Sequence, residues 1–254
     1  MKRLVLLIAI LMVFPAVSSS AAEPDYSAWG ELLKAHYDPA RGMNYAALKR
    51  DRAKLEKLRD QMAGVDVASL TKNEQLAYWI NLYNISTVAV VADNYPVGSI
   101  RDISTDPIIR LNVFKKDYVK GPNGPMSLND VENIRIREGF GDARIHFAIN
   151  CAAASCPPIR TEPFVGSRLD EQLDDQARRF LNGPNGVHFR RNRGGLDVYT
   201  TKIMDWFGED FEKAGGDIAF LRRYLSADKV KVINEASKVR VRYDDYDWSL
   251  NDVK

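Results

Sequence analysis

Polar and apolar positions repeat along this chain at two periods, and the helical one dominates its first half. Residues 26–36 (YSAWGELLKAH) bring Trp29, Leu32 and Leu33 to one side of a helix. A turn at Arg41-Gly42 precedes a short segment from Asn44 to Leu48, and residues 50–63 then carry Leu55, Leu58 and Met62 on one stripe. The strongest signal spans 72–92. Thr71 and Glu74 have the spacing of a capping box, which satisfies free amides at a helix start. Leu76, Trp79, Ile80, Tyr83, Thr87, Val90 and Val91 follow at intervals of three and four. Tyr95-Pro96 ends the run, because proline pushes the residue before it out of helical geometry. Ser127 to Asp130 opens a further short helix carrying Val131, Ile134 and Ile136.

Period-two patterning enters later. Arg144 to Asn150 (RIHFAIN) alternates in the manner of a strand, with His146 on the face opposite Ile145, Phe147 and Ile149. Leu169 to Leu181 is amphipathic and helical, and Leu196 to Thr200 is a strand after Gly194-Gly195. Ile203 to Phe211 and Ile218 to Leu225 read as helices; Lys229 to Ile233 and Val239 to Tyr243 read as a closing hairpin. Helices mostly precede strands, so the expected class is α+β: a single domain over 23–254, its helix-rich N-terminal half packed on a mostly antiparallel sheet.

The first residues change the picture of where the protein works. Lys2 and Arg3 precede an apolar run from Leu4 to Phe14, shorter than the roughly 20 residues a membrane-spanning helix needs. Pro15 breaks it, and small residues from Ser18 to Ala22 prepare a cut before Glu23. This is the pattern of a cleaved signal peptide over 1–22, and it predicts export to a periplasmic or extracellular site. The 254-residue chain has 36 basic and 34 acidic residues, and the leader takes away Lys2 and Arg3. The balance that remains gives no electrostatic case for nucleic acid. No later apolar run has transmembrane length, so the expected partner is an envelope substrate or an envelope protein of unknown identity. The three histidines, His36, His146 and His188, are scattered, and no cofactor or metal motif is present.

Chemistry concentrates in residues 144–158, RIHFAINCAAASCPP, which hold both cysteines of the chain. Two readings of Cys151 and Cys156 stay open. As a disulfide in an oxidising compartment the pair would close a six-residue loop, worth roughly 2 kcal/mol of chain entropy. As a thiolate nucleophile, either sulfur would draw on backbone amides to lower its pKa and on His146 as base. A metal site from Cys151, Cys156 and His146 is one ligand short. Asn81 and Asn84, in the apolar helix stretch WINLYN, either lock loop backbone or orient the catalytic groups. Glu132 is the third candidate for that orienting role. Arg144 is expected to pair with Glu132 or Asp142, His36 and His188 to lie on the surface, and Trp206 to belong to the core.

Five blocks occur in order: LAYWINLYN (76–84), NYPVGSIRDI (94–103), SLNDVENIRIR (127–137), RIHFAINCAAASCPP (144–158) and MDWFGEDF (204–211). Together they resemble the family catalogued as domain of unknown function 547, from about Trp29 to Leu225. The resemblance implies one α+β domain, often exported in bacteria, with no assigned reaction. In the family pattern the glutamate of the Ser-Leu block is followed by histidine, whereas Asn133 follows Glu132 here, which leaves His146 as the base. A His-before-Cys order on an α+β fold also looks like a permuted papain or transglutaminase arrangement. The resulting expectation is a cysteine-dependent acyl-transfer enzyme, with Cys156 as nucleophile, His146 as base and Glu132, Asn81 or Asn84 as orienter. The alternative is a binding module stapled by a Cys151–Cys156 disulfide.

Overall fold

The computed structural model describes residues 23–103 and 112–253, so the expected leader at 1–22 lies outside the described residues. The first half builds a helical layer: α1 (Ser27–His36), a short hairpin of β1 (Tyr37–Asp38) and β2 (Gly42–Met43), α2 (Tyr45–Arg50), α3 (Arg52–Ala63) and α4 (Lys72–Asn94). Local chemistry accounts for their starts. Asn44 accepts from the Ala47 amide at the head of α2. At α4 the Thr71 hydroxyl accepts from the Glu74 amide at 3.4 Å while the Glu74 carboxylate accepts from the Thr71 amide at 2.7 Å. The single apolar stripe read from α4 understates it. Every residue from Leu76 to Ala92 is buried, because other elements pack around the whole circumference of this helix.

A second short hairpin, β3 (Val119–Gly121) with β4 (Gly124–Met126), leads into α5 (Leu128–Asp130), a π-helical stretch Val131–Arg137, and α6 (Glu138–Phe140). Ser127 caps this segment reciprocally with Asp130, as its spacing suggests. The remainder is α7 (Leu169–Asn182), β5 (His188–Asn192), β6 (Gly195–Thr200), α8 (Lys202–Trp206), α9 (Gly208–Lys213), α10 (Asp217–Tyr224), α11 (Ala227–Asn234) and β7 (Val239–Tyr243). The fold is mixed α+β with small sheets, and among the described residues no broad sheet underlies the helices. In the largest of these sheets β6 lies between β5, antiparallel, and β7, parallel. At the β5–β6 turn Gly195 adopts φ 123°, and a Cβ there would stand 2.4 Å from the Lys238 carbonyl, so only glycine fits.

Two expectations fail here. Lys229 to Ile233 belongs to α11, so no hairpin closes the chain; β7 emerges from that helix and runs parallel to β6, the geometry a helical crossover permits. Arg144 to Asn150 is no strand: Ala143–Phe147 is a 3₁₀ turn. With three residues per turn, successive side chains diverge by about 120°. Ile145 enters one apolar core, built around α4, and Phe147 enters a second with Phe180, Phe211 and Phe220. Burial on both sides imitates strand alternation, and His146 is buried between the two cores.

Candidate active site

The two cores meet around a cavity of about 330 Å³ whose wall includes Tyr83, Glu132, His146, Cys151, Cys156, Trp206, Phe207, Tyr246 and Trp248. A larger groove of about 900 Å³ lies elsewhere, against Trp79, Ile134 and Arg135, and carries neither thiol nor imidazole. The chemistry belongs to the smaller cavity.

Its floor is the loop that follows the 3₁₀ turn. Both cysteines are free thiols, with their sulfurs 2.9 Å apart. Cys151 is half-buried and Cys156 is buried. The Cys151 amide donates to Cys156 Sγ at 2.9 Å, and the Tyr246 hydroxyl lies 3.0 Å from Cys151 Sγ. Hydrogen bonding with Cys156 holds the Cys151 thiol below its ordinary pKa against the opposing effect of burial; Tyr246 and the Ala153 amide add to the lowering. Burial, and then the neighbouring Cys151, push Cys156 well up. Burial and both sulfurs likewise raise Tyr246 far beyond the phenol range, so its hydroxyl keeps its proton and serves as a donor.

Asn84 and Asn150 hold the floor in place. Asn84 donates to the Ala148 carbonyl at 3.0 Å and accepts from the Asn150 amide at 2.8 Å. Asn150 in turn accepts from the Ala152 amide at 2.8 Å and donates to the Pro157 carbonyl at 2.7 Å. Asn84 is thus two hydrogen-bonded steps from the thiols. Asn81 is farther removed, clamping Phe164 through its amide and carbonyl. Both asparagines act on loop backbone.

The wall carries the Glu132 carboxyl, and a second carboxyl, Asp210, is bonded to the wall's His146. Glu132 projects from the π-helical stretch, whose wider i→i+5 winding lets Glu132 and Asn133 both line the cavity. Burial lifts the Glu132 carboxyl to about 7, although the Tyr83 hydroxyl donates to it at 3.3 Å. Across the cavity His146 Nε2 bonds Asp210 Oδ2 at 2.8 Å, and Arg137 Nε donates to the same oxygen at 2.7 Å. The bond to His146, with help from Arg137, holds Asp210 well below the usual carboxylate range. Burial outweighs Asp210 at the imidazole and lowers the His146 pKa, so the ring is neutral. It stacks on Phe207 at 4.1 Å, and its Nδ1 is buried without a partner.

The structure therefore gathers Cys151, Cys156, His146 and Glu132 around one space. Asp210, the partner of His146, was not among the expected orienters, although it stands in the MDWFGEDF block. Tyr83 and Tyr246 also line the cavity; nothing local in the sequence distinguishes them from core tyrosines. Trp206, expected in the core, is 45% exposed, packs at a tilt against Tyr246 and stacks on Trp248 at the cavity rim. Arg144 pairs with Asp142, Asp170 and Asp174, and not with Glu132. His36 is largely buried against Asp51, whereas His188 is exposed. Among the described residues no three His, Cys, Asp or Glu side chains converge as a metal-ligand set.

Residues 67–181, roughly half the chain, match the family described as protein of unknown function, DUF547, and over that stretch the chain belongs to it. The match includes Glu132, His146 and both cysteines but ends before Trp206, Asp210 and Tyr246. No curated protein and no solved structure matches the chain.

Proposed function

We propose, for this member of a family without an assigned reaction, that the chain is a cysteine-dependent acyl-transfer enzyme acting on ester or amide bonds. The observation that carries this reading is Cys151 Sγ, set between Cys156 Sγ at 2.9 Å and the Tyr246 hydroxyl at 3.0 Å, on the floor of a cavity that also holds Glu132 and His146. The nucleophile is thus moved from Cys156 to Cys151, which has the lower pKa and the greater exposure.

In this mechanism the Cys151 thiolate attacks the carbonyl carbon of the substrate. The bond to the leaving oxygen or nitrogen breaks as that atom takes a proton from Glu132, whose pKa near 7 suits a group that must both give and accept protons. The acyl group stays on Cys151 as a thioester. Water or an amine then attacks, returns its proton to Glu132 and frees the thiolate. Neutral His146, held by Asp210, is a second proton acceptor lining the cavity. The aromatic side chains exclude water from the reacting carbonyl and receive the apolar part of the acyl group.

Intact-mass analysis during turnover of p-nitrophenyl acetate tests the assignment. A transient acetyl group on Cys151, absent from Cys151→Ala, is expected. Acetylation confined to lysines or to Cys156 would sink it.

We further propose that the leader read at 1–22 directs this work outside the cytoplasm. Among the described residues no helix is long and apolar enough to cross a membrane. Glu23, the first residue after the expected cut, accepts from the Gly166 amide at 2.6 Å and so is already part of the fold. N-terminal sequencing of secreted protein should begin at Glu23; a retained leader would refute export by this route.

A further inference from the structure

We infer that Cys151 and Cys156 form a dithiol–disulfide couple that exchanges with small-molecule disulfides, Cys151 meeting the substrate and Cys156 resolving the intermediate. Acyl transfer needs one sulfur, and the fold goes to some length to hold two together. Between them Ala152 adopts φ 62°, a left-handed conformation that a side chain disfavours, and it does so while fully buried. That reversal curls the loop back so that the two sulfurs face each other. The Asn150 side chain spans the loop from the Ala152 amide to the Pro157 carbonyl and prevents it from opening. From outside, the Ala154 and Ser155 amides donate to the Ser249 and Asp247 carbonyls, pinning the loop to the C-terminal tail that also delivers Tyr246. The result is 2.9 Å between unbridged sulfurs, a separation that a small approach converts into a bond.

The two sulfurs are unequal in the way exchange requires. Cys151 is partly exposed and lines the cavity, within reach of a small molecule, while Cys156 on the same cavity is only 7% exposed. The Cys151 amide, 2.9 Å from Cys156 Sγ, is placed to stabilise negative charge there.

The Cys151 thiolate attacks one sulfur of R–S–S–R, forms a mixed disulfide and releases RS⁻. Cys156 gives its proton to that thiolate, producing RSH. The Cys156 thiolate then attacks Cys151 Sγ, forms the intramolecular disulfide and expels the second RS⁻, which takes a proton from water. Two electrons pass from the cysteine pair to the small disulfide. Because the disulfide consumes Cys151, exchange also silences any acyl transfer. The inference does not depend on that reaction, and either can fail alone.

The probe is bis(2-hydroxyethyl) disulfide at pH 7, read by intact mass and alkylation with no acyl substrate present. The wild-type chain should lose two hydrogens, retain no adduct and become inert to alkylation until a dithiol is added. Cys156→Ser should stop at one hydroxyethylthio group on Cys151, and Cys151→Ser should react at least about tenfold more slowly. A stable adduct on the wild-type chain, an adduct trapped on Cys156, or no reaction would each overturn the inference. The wild-type result stands even if a variant fails to fold.

Discussion

Glu132 lines the cavity and Asp210 is hydrogen-bonded to the cavity's His146, yet the surroundings of these two carboxyls drive them apart. Glu132 has burial and a single tyrosine hydroxyl, so the desolvation of its charge is not offset and the carboxyl is lifted to about 7. Asp210 has the Arg137 guanidinium and the His146 ring on one oxygen, and remains ionised well below its usual range. A pair of acids separated in this way supplies a proton carrier and a fixed negative anchor from the same chemistry. The anchor holds His146; in the proposed mechanism the carrier serves the sulfur. One site thereby combines a group that changes charge near neutral pH with another that does not.

Neutralising the carrier is expected to have the largest effect. Glu132→Gln should slow turnover of an activated ester by about 100-fold and remove the limb of the pH–rate profile near 7. An unchanged profile would give the proton to His146. Removing the anchor acts on stability instead. Asp210→Ala leaves Arg137 and His146 partly buried without their acceptor and should cost about 3 kcal/mol in urea denaturation. A loss below about 1 kcal/mol would mean that water replaces the carboxylate.

The two acids also differ in how stability responds to pH. The folded chain holds the Glu132 proton more tightly than the unfolded chain, whose value is 4.5, so Glu132 weakens the fold as pH rises from 4.5 to about 7. Glu132→Gln should therefore become more stable than wild type across that window, by about 3 kcal/mol at pH 8. Asp210, depressed from 3.8, contributes stability that is present above 3.8 and is lost only as pH falls below it. Its contribution should be flat over the range where that of Glu132 slopes; parallel slopes would contradict the contrast. The smallest expected effect is at the sulfur. Tyr246→Phe removes one donor to Cys151, worth about 1 kcal/mol, and should slow alkylation at pH 6 about fivefold. An unchanged rate would leave Cys156 and the Ala153 amide as the donors that matter.

Some of this was legible from residue order. The caps at Thr71 and Ser127 and the helices they open could be read directly, as could the concentration of thiols and imidazole in residues 144–158. Other features were misread for identifiable reasons. Ile145, Phe147 and Ile149 are apolar because two cores flank a 3₁₀ turn, a burial pattern that residue order cannot distinguish from a strand's. Asn81 and Asn84 were rightly singled out as buried amides in need of partners, but those partners, Phe164, Ala148 and Asn150, are 64 to 83 residues away. Asp210 lies 64 residues beyond His146, and Tyr246 lies 95 beyond Cys151.

What the sequence determined by itself was local: where helices start and stop, and which short segment holds the reactive side chains. Helix hydrogen bonds and caps close over three or four residues, so neighbours in the chain are enough to specify them. What only the tertiary structure decided was the company each reactive group keeps. Desolvation of Glu132, ionisation of Asp210 and the meeting of Cys151 with Tyr246 depend on distances across two packed cores, and Coulombic and hydrogen-bond energies follow distance in space.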